Sequence, residues 1–568
     1  MSARKSLRGL MRVNDEEVTK AKNELDKIQH NIDVLRDGIK ELQEKYQANN
    51  RKQEEKEALI PKAQQLLDIM TFNVNILPVV CNRDTDDEQF KRQIEVLDEK
   101  LVNWDEDKDS ALELARKKLI STASQKIKEF LLNQIEKIGR PTTNIKTIKS
   151  ILLDNKSFNH FLGRHAPNEG KAVMDEYVFS MQQTYHKHFQ RSNGVYKGKL
   201  TEKDFMGVEE CAAPFNLNGR LDIFDEDFQN YNYDMFEHKF KVLHHPFVGI
   251  SYNEYKFICK FFLVREEEAG FFFQEVMTSS LEILHTSLQD DIGACLDAYG
   301  LLLAYQLLVR SKNLYEKSIP VLHDYWLEVE EKLWSRFEYI FQRHIDSILR
   351  IDKYKFDKNM AAHYVSKRFA QFCTSINQIM SYAANVKVGE LLEKLLHTVN
   401  DFIVALSKQL DTAIDQLIFL INNYETILEH LDDSFWELDL FKDKLDSKMQ
   451  SYSELILMVY FEEMILFTNR SENMQAHGLD KELRRIQEKS EWYAKHFADT
   501  WKKSFEELNA EISASFQNIR TTTNLLENTL MRLRKYIKRF YGVLPEDARK
   551  HIKISEVLNE IVECKIEL

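Results

Sequence analysis

The clearest pattern in the chain is a seven-residue repeat of apolar positions near the N-terminus. Apolar residues recur at alternating intervals of three and four for four heptads, and the positions between them are almost all polar. Such a repeat keeps one narrow apolar seam facing a partner helix, so it predicts a coiled coil roughly 45 Å long. The seam consists of Val18, Ala21, Leu25, Ile28, Ile32, Leu35, Ile39, Leu42 and Tyr46.

The partner of this seam is not specified by the repeat itself. A core helix of a large globular protein has a wider apolar face than this one. No second segment of equal regularity follows in the chain. We therefore favour a seam that is shared with helices of other chains, and a helical hairpin that packs on itself is the alternative.

Later parts of the chain predict helices with a few interruptions. Pro61 and residues 75–89 are expected to end the first rod, and GRPTTN at 139–144 to end a second helical stretch. Residues 193–246 are the least regular. Their acidic and aromatic sequence LDIFDEDFQNYNYDMF predicts a solvated surface loop, with a docking peptide as the alternative.

These features divide the chain into four predicted regions of an all-α protein. Residues 14–60 form the N-terminal coiled coil for complex assembly, and residues 61–190 form an N-terminal helical segment. Residues 191–250 form an irregular loop or insertion, and residues 251–568 form an elongated rod of stacked helical bundles.

The segment QLIFLINNYETIL, residues 416–428, places two adjacent asparagines inside an apolar run. On a helix, Ile418 and Phe419 point away from the main apolar face, which predicts burial on two sides. We expect Asn422 to be half-buried and hydrogen-bonded, and Asn423 to lie nearer the edge. Two interpretations stay open: either such an amide fixes the register of neighbouring helices, or both asparagines are rim residues.

Composition agrees with long helices and excludes several classes of protein. The 568 residues include only 16 Gly and 8 Pro, too few for the turns of a β-rich protein. The net charge of −13 argues against a general nucleic-acid binder. The six scattered cysteines, with no CxxC pair, indicate neither a zinc site nor a disulfide framework and fit a reduced, cytosolic chain. No apolar run is long enough to span a bilayer, so any membrane contact is expected to be peripheral.

Sequence motifs for catalysis, cofactors and metals are not found. The closest match to a phosphate loop, GVYKGKL at 194–200, has three residues between its glycines instead of four. The histidine pairs His186 with His188 and His244 with His245 lack a suitable third ligand nearby. The paired glutamates of EVEEKLW and YFEEMILF fall on amphipathic helices, where a solvated face explains them better than acid–base catalysis. We predict no catalytic, cofactor-binding or metal-binding residues.

One basic segment has two interpretations. MRLRKYIKRFY, residues 531–541, combines five Arg and Lys residues with interleaved aromatic residues. It either touches an acidic membrane surface or partner, or forms the charged end of a helix, where it satisfies carbonyl groups and the helix dipole. We favour the second interpretation.

Seven segments in chain order resemble the vacuolar protein sorting-associated protein 52 (Sac-two) family. They extend over most of the chain, from about Leu35 to about Leu558, and none is a catalytic motif. The segments are QKIKEFLLNQIEKIGRPTTN, DFMGVEE, YKFICKFF, DYWLEVEEKLWSRFE, HYVSKRFAQF, QLIFLINNYETIL and SFQNIRTTTNLLENTL. Relative to the family, the chain has less sequence before and within the coiled region and a shorter irregular segment.

The resemblance implies a CATCHR-like helical fold and a subunit of two vesicle-tethering complexes, the Golgi-associated retrograde protein (GARP) and endosome-associated recycling protein (EARP) complexes. The implied partners are vacuolar protein sorting-associated proteins 51, 53 and 54, with syndetin in place of 54 in the endosomal complex, as well as syntaxin-type SNAREs and Rab- or Arf-like GTPases. The implied location is the cytosolic face of the trans-Golgi network and endosomes. No enzymatic residue is implied, and Val18 to Tyr46 match the region where the family's subunits join.

The resemblance and the periodicity together predict a tether that joins its complex through the N-terminal seam and promotes SNARE-mediated fusion. The alternatives are an enzyme and a self-associating coiled-coil protein with a structural or membrane-curving role. A membrane-curving homodimer needs a long basic face, and the acidic net charge of this chain argues against that role.

Overall fold

The structure is a computed structural model that describes residues 3–71, 76–102, 110–140, 143–225, 228–516 and 518–563. Every regular element in these ranges is an α-helix or a short 3₁₀ turn. The all-α class predicted from the sequence is therefore confirmed.

Seven α-helices precede the irregular segment in the described ranges. They are α1 (Ala3–Thr71), α2 (Leu77–Asn82), α3 (Glu88–Val102), α4 (Ser110–Glu136), α5 (Ile145–Asp154), α6 (Lys156–His165) and α7 (Pro167–Ser192).

Thirteen α-helices follow the irregular segment in the described ranges. They are α8 (Phe236–Phe262), α9 (Glu266–Ala294), α10 (Ala298–Tyr315), α11 (His323–Leu349), α12 (Tyr364–Met380), α13 (Val386–Ser407), α14 (Ala413–His430), α15 (Leu438–Ala476), α16 (Asp480–Gln487), α17 (Ser490–Ser515), α18 (Ile519–Val543), α19 (Glu546–Arg549) and α20 (Ile554–Glu563).

Helix α1 does not end at Pro61 as predicted, because it continues to Thr71. A proline inside a helix removes one hydrogen bond and crowds the carbonyl group four residues earlier, at a cost of about 3 kcal/mol. Strong helix formers on both sides, in the sequence KEALIPKAQQLL, let the helix continue across that position. The second predicted interruption, residues 75–89, is shorter than expected in its described part, because α2 lies within it and only residues 83–87 separate α2 from α3.

The chain forms two compact units, one of residues 1–180 with 260–263 and the other of residues 181–259 with 264–568. In the first unit, α3 and α4 both pack on α6. The ring of Phe158 on α6 meets those of Phe90 and Phe130 edge to face, with 5.7 Å between ring centres in both pairs. This geometry suits the aromatic quadrupoles and centres the core on α6.

In the second unit, helix α10 lies at the centre of a layered bundle. Nearly all of its first eleven residues are buried, as the apolar sequence LLLAYQLLV predicts. Its N-cap residue Asp297 accepts a hydrogen bond from the backbone N–H of Tyr299 (3.0 Å). Asp297 also pairs with Arg220, whose guanidinium contacts Glu237 as well (2.7 Å). This almost fully buried charge network ties the irregular segment to α8 and α10.

The irregular segment is the solvated surface loop that we predicted only in part: residues 229–233 are exposed, but other parts of the segment are buried. Phe205, Met206 and Ile223 are buried to 4% exposure or less. Hydrogen bonds also anchor the segment: Arg368 of α12 donates to four of its backbone carbonyl groups, those of residues 206, 208, 209 and 211. Part of the segment therefore belongs to the core of the second unit, whereas Val195, Tyr231 and Tyr233 stay exposed.

The irregular segment is also shorter than predicted. Helix α8 begins at Phe236 and contains Pro246, so the last part of the expected loop is helical. The apolar side chains of Phe240, Leu243 and Phe247 share one buried face of this helix, and their burial offsets the missing hydrogen bond at the proline.

In α14, Asn423 is the buried amide, so its predicted place near the edge is wrong. Asn423 is fully buried, and its Oδ1 accepts hydrogen bonds from the backbone N–H of His363 (2.9 Å) and the hydroxyl of Ser366 (2.6 Å). Asn422 is half-buried, as expected, and donates to the carbonyl oxygen of Met360 (2.9 Å). Both amides bind the chain that enters α12, so they fix the register between α12 and α14.

The C-terminal helices form a further bundle in which α15 packs against α14, α17 and α18. Helix α15 bends at Phe461, whose backbone angles are not helical (φ −131°, ψ 27°). The buried hydroxyl of Thr529 on α18 donates to that of Ser453 on α15 (2.9 Å). These helices pack against one another in the described part of the C-terminal region.

Candidate assembly surface

The apolar seam of α1 is exposed along its whole length. Every residue from 17 to 61 is exposed, and the eight larger seam side chains range from 45% exposed at Ile32 to 67% at Leu25. By contrast, Ile127 and Leu131 on α4 are fully buried. Single exposed apolar residues are common on soluble proteins, but a continuous strip of them marks an interaction surface.

Local pairs of polar side chains support α1 as a helix. The ammonium group of Lys45 lies 2.7 Å from the carboxylate of Glu41, and Gln53 donates to Glu57 (3.3 Å). Each such pair one turn apart stabilises a helix by about 0.2–0.5 kcal/mol. Apolar pairs along the seam, such as Leu42 with Tyr46, contribute a similar small amount, and most of their surface stays uncovered. Full burial of one Leu or Ile side chain contributes about 1.5–3 kcal/mol, so covering several of them favours association strongly.

The glycine segment at 194–200 is engaged with its own chain. The hydroxyl group of Tyr196 lies 3.5 Å from the Sγ of buried Cys295. The ammonium group of Lys199, the lysine of the near-match, lies 2.5 Å from the carboxylate of Asp234. The segment therefore lacks both the sequence and the free lysine of a phosphate loop.

The two histidine pairs do not converge on a common point. His244 is buried against Phe240 and Tyr325, its Nδ1 lies 2.8 Å from the Tyr325 hydroxyl, and burial lowers the pKa of His244 to about 3. The next residue, His245, is exposed. Across the described residues, no three or more His, Cys, Asp and Glu side chains are grouped so that they could hold a metal ion.

The paired glutamates of EVEEKLW and YFEEMILF differ in their surroundings: one in the first pair makes local contacts, and the second pair faces solvent. Glu330 accepts from the ammonium group of Lys312 (2.9 Å) and the hydroxyl of Tyr305 (3.3 Å). Glu462 and Glu463 are both exposed on α15. Neither pair has a buried or convergent arrangement that acid–base chemistry needs.

The basic segment of residues 531–541 is used inside the C-terminal bundle. Arg532 pairs with Glu454, and Arg539 pairs with Glu472 through its Nε and Nη2 atoms, one edge of the guanidinium. These contacts join α18 laterally to α15. The sequence suggested a membrane contact or a helix end, and it gave no sign of this lateral role because the acidic partners lie about 70 residues earlier in the chain.

Comparison with known families identifies the chain. The profile described as "Vps52/Sac2 family, coiled-coil" matches residues 12–162, and the profile described as "Vps52, C-terminal" matches residues 215–455. Two separate regions of one family thus occur here in order and together span most of the chain.

The chain belongs to the Vps52 family.

Relatives in animals and plants are similar over nearly the whole chain. The chain is 26% identical to the "Vacuolar protein sorting-associated protein 52 homolog" of Mus musculus and to that of Homo sapiens, across 95% of this chain and 81% of each relative. It is 24% identical to "Vacuolar protein sorting-associated protein 52 A" of Arabidopsis thaliana, across 94% of this chain and 81% of the relative. Among solved structures, S. cerevisiae Exo70 aligns with a TM-score of 0.49 and 14% identity, covering 89% of this chain and 98% of that one, a likeness too low to carry a conclusion.

The two Vps52 matches fall on the features described above. The coiled-coil match contains all nine seam residues of α1. The C-terminal match begins at Phe215, inside the buried irregular segment, and contains α14 with both asparagines. The resemblance seen in the short sequence segments is confirmed. In the described residues of this Vps52-family chain, no helix is both long and apolar enough to cross a membrane.

Proposed function

We propose that this Vps52-family chain is a subunit of a multisubunit vesicle-tethering complex, and that the α1 seam joins it to the other subunits. Family membership supports the first part. The observation that carries the second part is the continuous apolar strip from Val18 to Tyr46, in which the larger side chains are all at least 45% exposed. A seam of this period is complementary to other helices with the same period.

The finer assignment is to the GARP and EARP complexes, in endosome-to-Golgi retrograde transport and endosomal recycling. The proposed partners in assembly are vacuolar protein sorting-associated proteins 51, 53 and 54, or syndetin in the endosomal complex. Syntaxin-type SNAREs and Rab- or Arf-like GTPases are the proposed contacts at the membranes, and the proposed location is peripheral at the trans-Golgi network and endosomes. The resemblance to the family supports these assignments.

In the proposed mechanism, α1 supplies one helix of a helical bundle whose other helices come from other chains. The seam side chains enter holes between the residues of neighbouring helices, and the charged residues stay at the rim. The helical bundles of residues 251–568 then remain available for SNAREs, GTPases or a vesicle. The chain itself performs no chemistry in this mechanism, and it acts by bringing other proteins together.

The test replaces two seam residues by aspartate, in the double variant Ile28→Asp with Ile32→Asp. Burying two carboxylates in the seam opposes assembly strongly, so we expect recovery of the other subunits with the purified chain to fall at least tenfold. The matched control, Asn23→Asp with His30→Asp, adds the same number of carboxylates to neighbouring turns on the side of the helix opposite the seam and is expected to co-purify normally. Full co-purification of the seam variant would exclude α1 as the assembly site.

Self-association through the same seam is the second candidate, because a heptad seam accepts identical helices as well as different ones. Mass measurement of the purified native assembly separates the two functions. A stoichiometric complex with other subunits supports the tethering proposal, and a homodimer that lacks them supports a self-associating structural protein.

A further inference from the structure

A groove runs between helices α9 and α11 of the second unit. It consists of two adjacent cavities of about 400 and 600 Å³, which share Ile292, Glu328 and Lys332 in their linings. The two helices run in the same direction, because Gly270 near the start of α9 lies beside Val321, just before α11, and Arg336 later in α11 donates to the backbone of Cys295 after α9 ends (3.0 Å).

The floor of the groove is apolar. Phe273, Leu288 and Ile292 contribute from α9, and Tyr325 and Val329 contribute from α11. Together with Leu281, these α9 residues recur at intervals of eight, seven and four positions on one face, so they form a strip along the groove rather than a single hole. A floor of this kind accepts large aliphatic or aromatic side chains.

The rim of the groove carries acidic side chains that have no cationic partner. Glu282 of α9 and Asp324 and Glu331 of α11 line the cavities, are exposed, and make no ion pair within the described residues. Of the two cations in the same linings, Lys332 pairs with Glu328 (2.7 Å), whereas Arg336 donates to a backbone carbonyl group and keeps its charge. Four carboxylates against two cations give the lining of the groove a net negative charge.

One polar contact crosses the groove in the lining of the smaller cavity. The Nδ1 of His285 on α9 lies 3.0 Å from Glu328 on α11, and both side chains are nearly half exposed. A polar pair this exposed contributes at most about 1 kcal/mol. An incoming ammonium or guanidinium group can replace His285 as the partner of Glu328, so this pair is a weak barrier to a ligand that carries positive charge.

We propose that the α9–α11 groove binds an amphipathic helix of a partner protein, with its apolar side chains on the floor and Lys or Arg residues facing the acidic rim. The stretch of α11 that lines the cavities, from Asp324 to Tyr339, spans about 23 Å, which corresponds to roughly four turns of a bound helix. An apolar residue at every third or fourth position of that helix matches the strip on α9. A free fatty acid has a similar apolar part, but its carboxylate is repelled by Glu282, Asp324 and Glu331.

The groove lies far along the chain from the α1 seam, so the proposal does not rest on the assembly function. The first test pans a display library of 16-residue helical peptides against the full chain and against the variant Thr286→Trp, which fills the groove from an exposed position in its lining. Thr278→Trp, an exposed threonine of α9 outside the lining, is the matched control.

We expect some peptides to be enriched on the wild-type chain and on Thr278→Trp but lost on Thr286→Trp. These peptides should carry apolar residues at helical spacing, flanked by Lys or Arg. Enrichment that is equal on all three proteins, or peptides without basic residues, would overturn the proposal. Far-ultraviolet circular dichroism and thermal unfolding verify that the variants fold.

The second test measures the affinity of one enriched peptide by fluorescence anisotropy. The triple variant Glu282→Lys, Asp324→Lys, Glu331→Lys changes only exposed side chains, so it keeps its fold even if the tryptophan variant does not. We expect at least a tenfold loss of affinity for the triple variant and no loss for Glu275→Lys, an exposed α9 carboxylate outside the lining. Equal affinity of the wild-type chain and the triple variant would contradict a role for the acidic rim.

Discussion

At the scale of single residues, the adjacent asparagines Asn422 and Asn423 are expected to contribute differently to the free energy of unfolding. Asn423→Ala removes the acceptor of two buried donors, the N–H of His363 and the hydroxyl of Ser366. Unsatisfied buried donors are costly, so we expect the free energy of unfolding to fall by about 1–3 kcal/mol. Asn422→Ala removes one bond at a half-exposed site and should cost less than about 1 kcal/mol. Denaturant titration of both variants measures the difference, and equal losses would contradict it.

A second residue-scale prediction concerns pH. The Nδ1 of His344 accepts a hydrogen bond from the backbone N–H of Met206 (3.2 Å) inside a cluster of aromatic rings, and burial lowers the pKa of His344 to about 4. Its ordinary pKa is 6.5. Below that pH the unfolded chain takes up a proton that the folded chain excludes. The free energy of unfolding therefore decreases as pH falls from 6.5 toward 4, by up to about 1.4 kcal/mol per pH unit.

The His344→Asn variant isolates this effect from the titration of surface carboxylates. Asparagine offers an acceptor near the position of Nδ1 and does not titrate, so the variant should lose this part of the pH dependence. Urea unfolding at pH 7, 6 and 5 compares the two proteins. Parallel stability curves for the wild-type chain and the variant would show that His344 does not account for the slope.

At the scale of elements, one glycine lets the irregular segment lie directly on α11. The N–H of Gly207 donates to the hydroxyl of Ser347 (2.9 Å), and a Cβ atom at Gly207 would overlap the backbone of Ser347. We expect Gly207→Ala to lower the free energy of unfolding by about 1–3 kcal/mol or more, because the segment must move off the helix. At Gly249, inside α8, a Cβ atom would meet open space.

Gly249→Ala is therefore the matched control for this prediction. Alanine in a helix interior is favoured over glycine by up to about 1 kcal/mol, so this variant should be neutral or more stable. Thermal unfolding of both variants in parallel gives the signs directly. A stability loss at both positions, or at neither, would show that close contact with α11 does not restrict position 207.

Elements whose signal is local were predictable, and elements fixed by distant contacts were not. The heptads of α1 and the apolar run of α10 follow from spacing alone. The buried part of the irregular segment is held by distant contacts such as those of Arg368, which bonds to carbonyl groups about 160 residues earlier in the chain. Asn423 likewise became the buried amide because α12 covers its side of α14. The α9–α11 groove could not be predicted because the pattern of one helix does not reveal its neighbour.

At the scale of the whole molecule, two sources of helix stability are separated along the chain. Helices such as α12 and α14 are held by buried side chains from several neighbours. Residues 17–61 of α1 are exposed throughout, so their helical structure depends on intrinsic propensity and on pairs one turn apart, which give only marginal stability per turn. This arrangement leaves the apolar surface of α1 available to partner helices, as the proposed assembly function requires.

Hydrogen exchange tests this contrast in the whole molecule. In the purified chain alone, backbone amides of residues 17–61 should exchange quickly, because opening an exposed helix costs little free energy, and amides of α12 and α14 should exchange slowly. In the assembled complex, we expect amides around the seam, from Val18 to Tyr46, to slow by at least 100-fold, because burial between partner helices couples their opening to dissociation. If amides of residues 17–61 already exchange as slowly as those of α14 in the chain alone, α1 is covered without partners. The assembly proposal would then lose its structural basis.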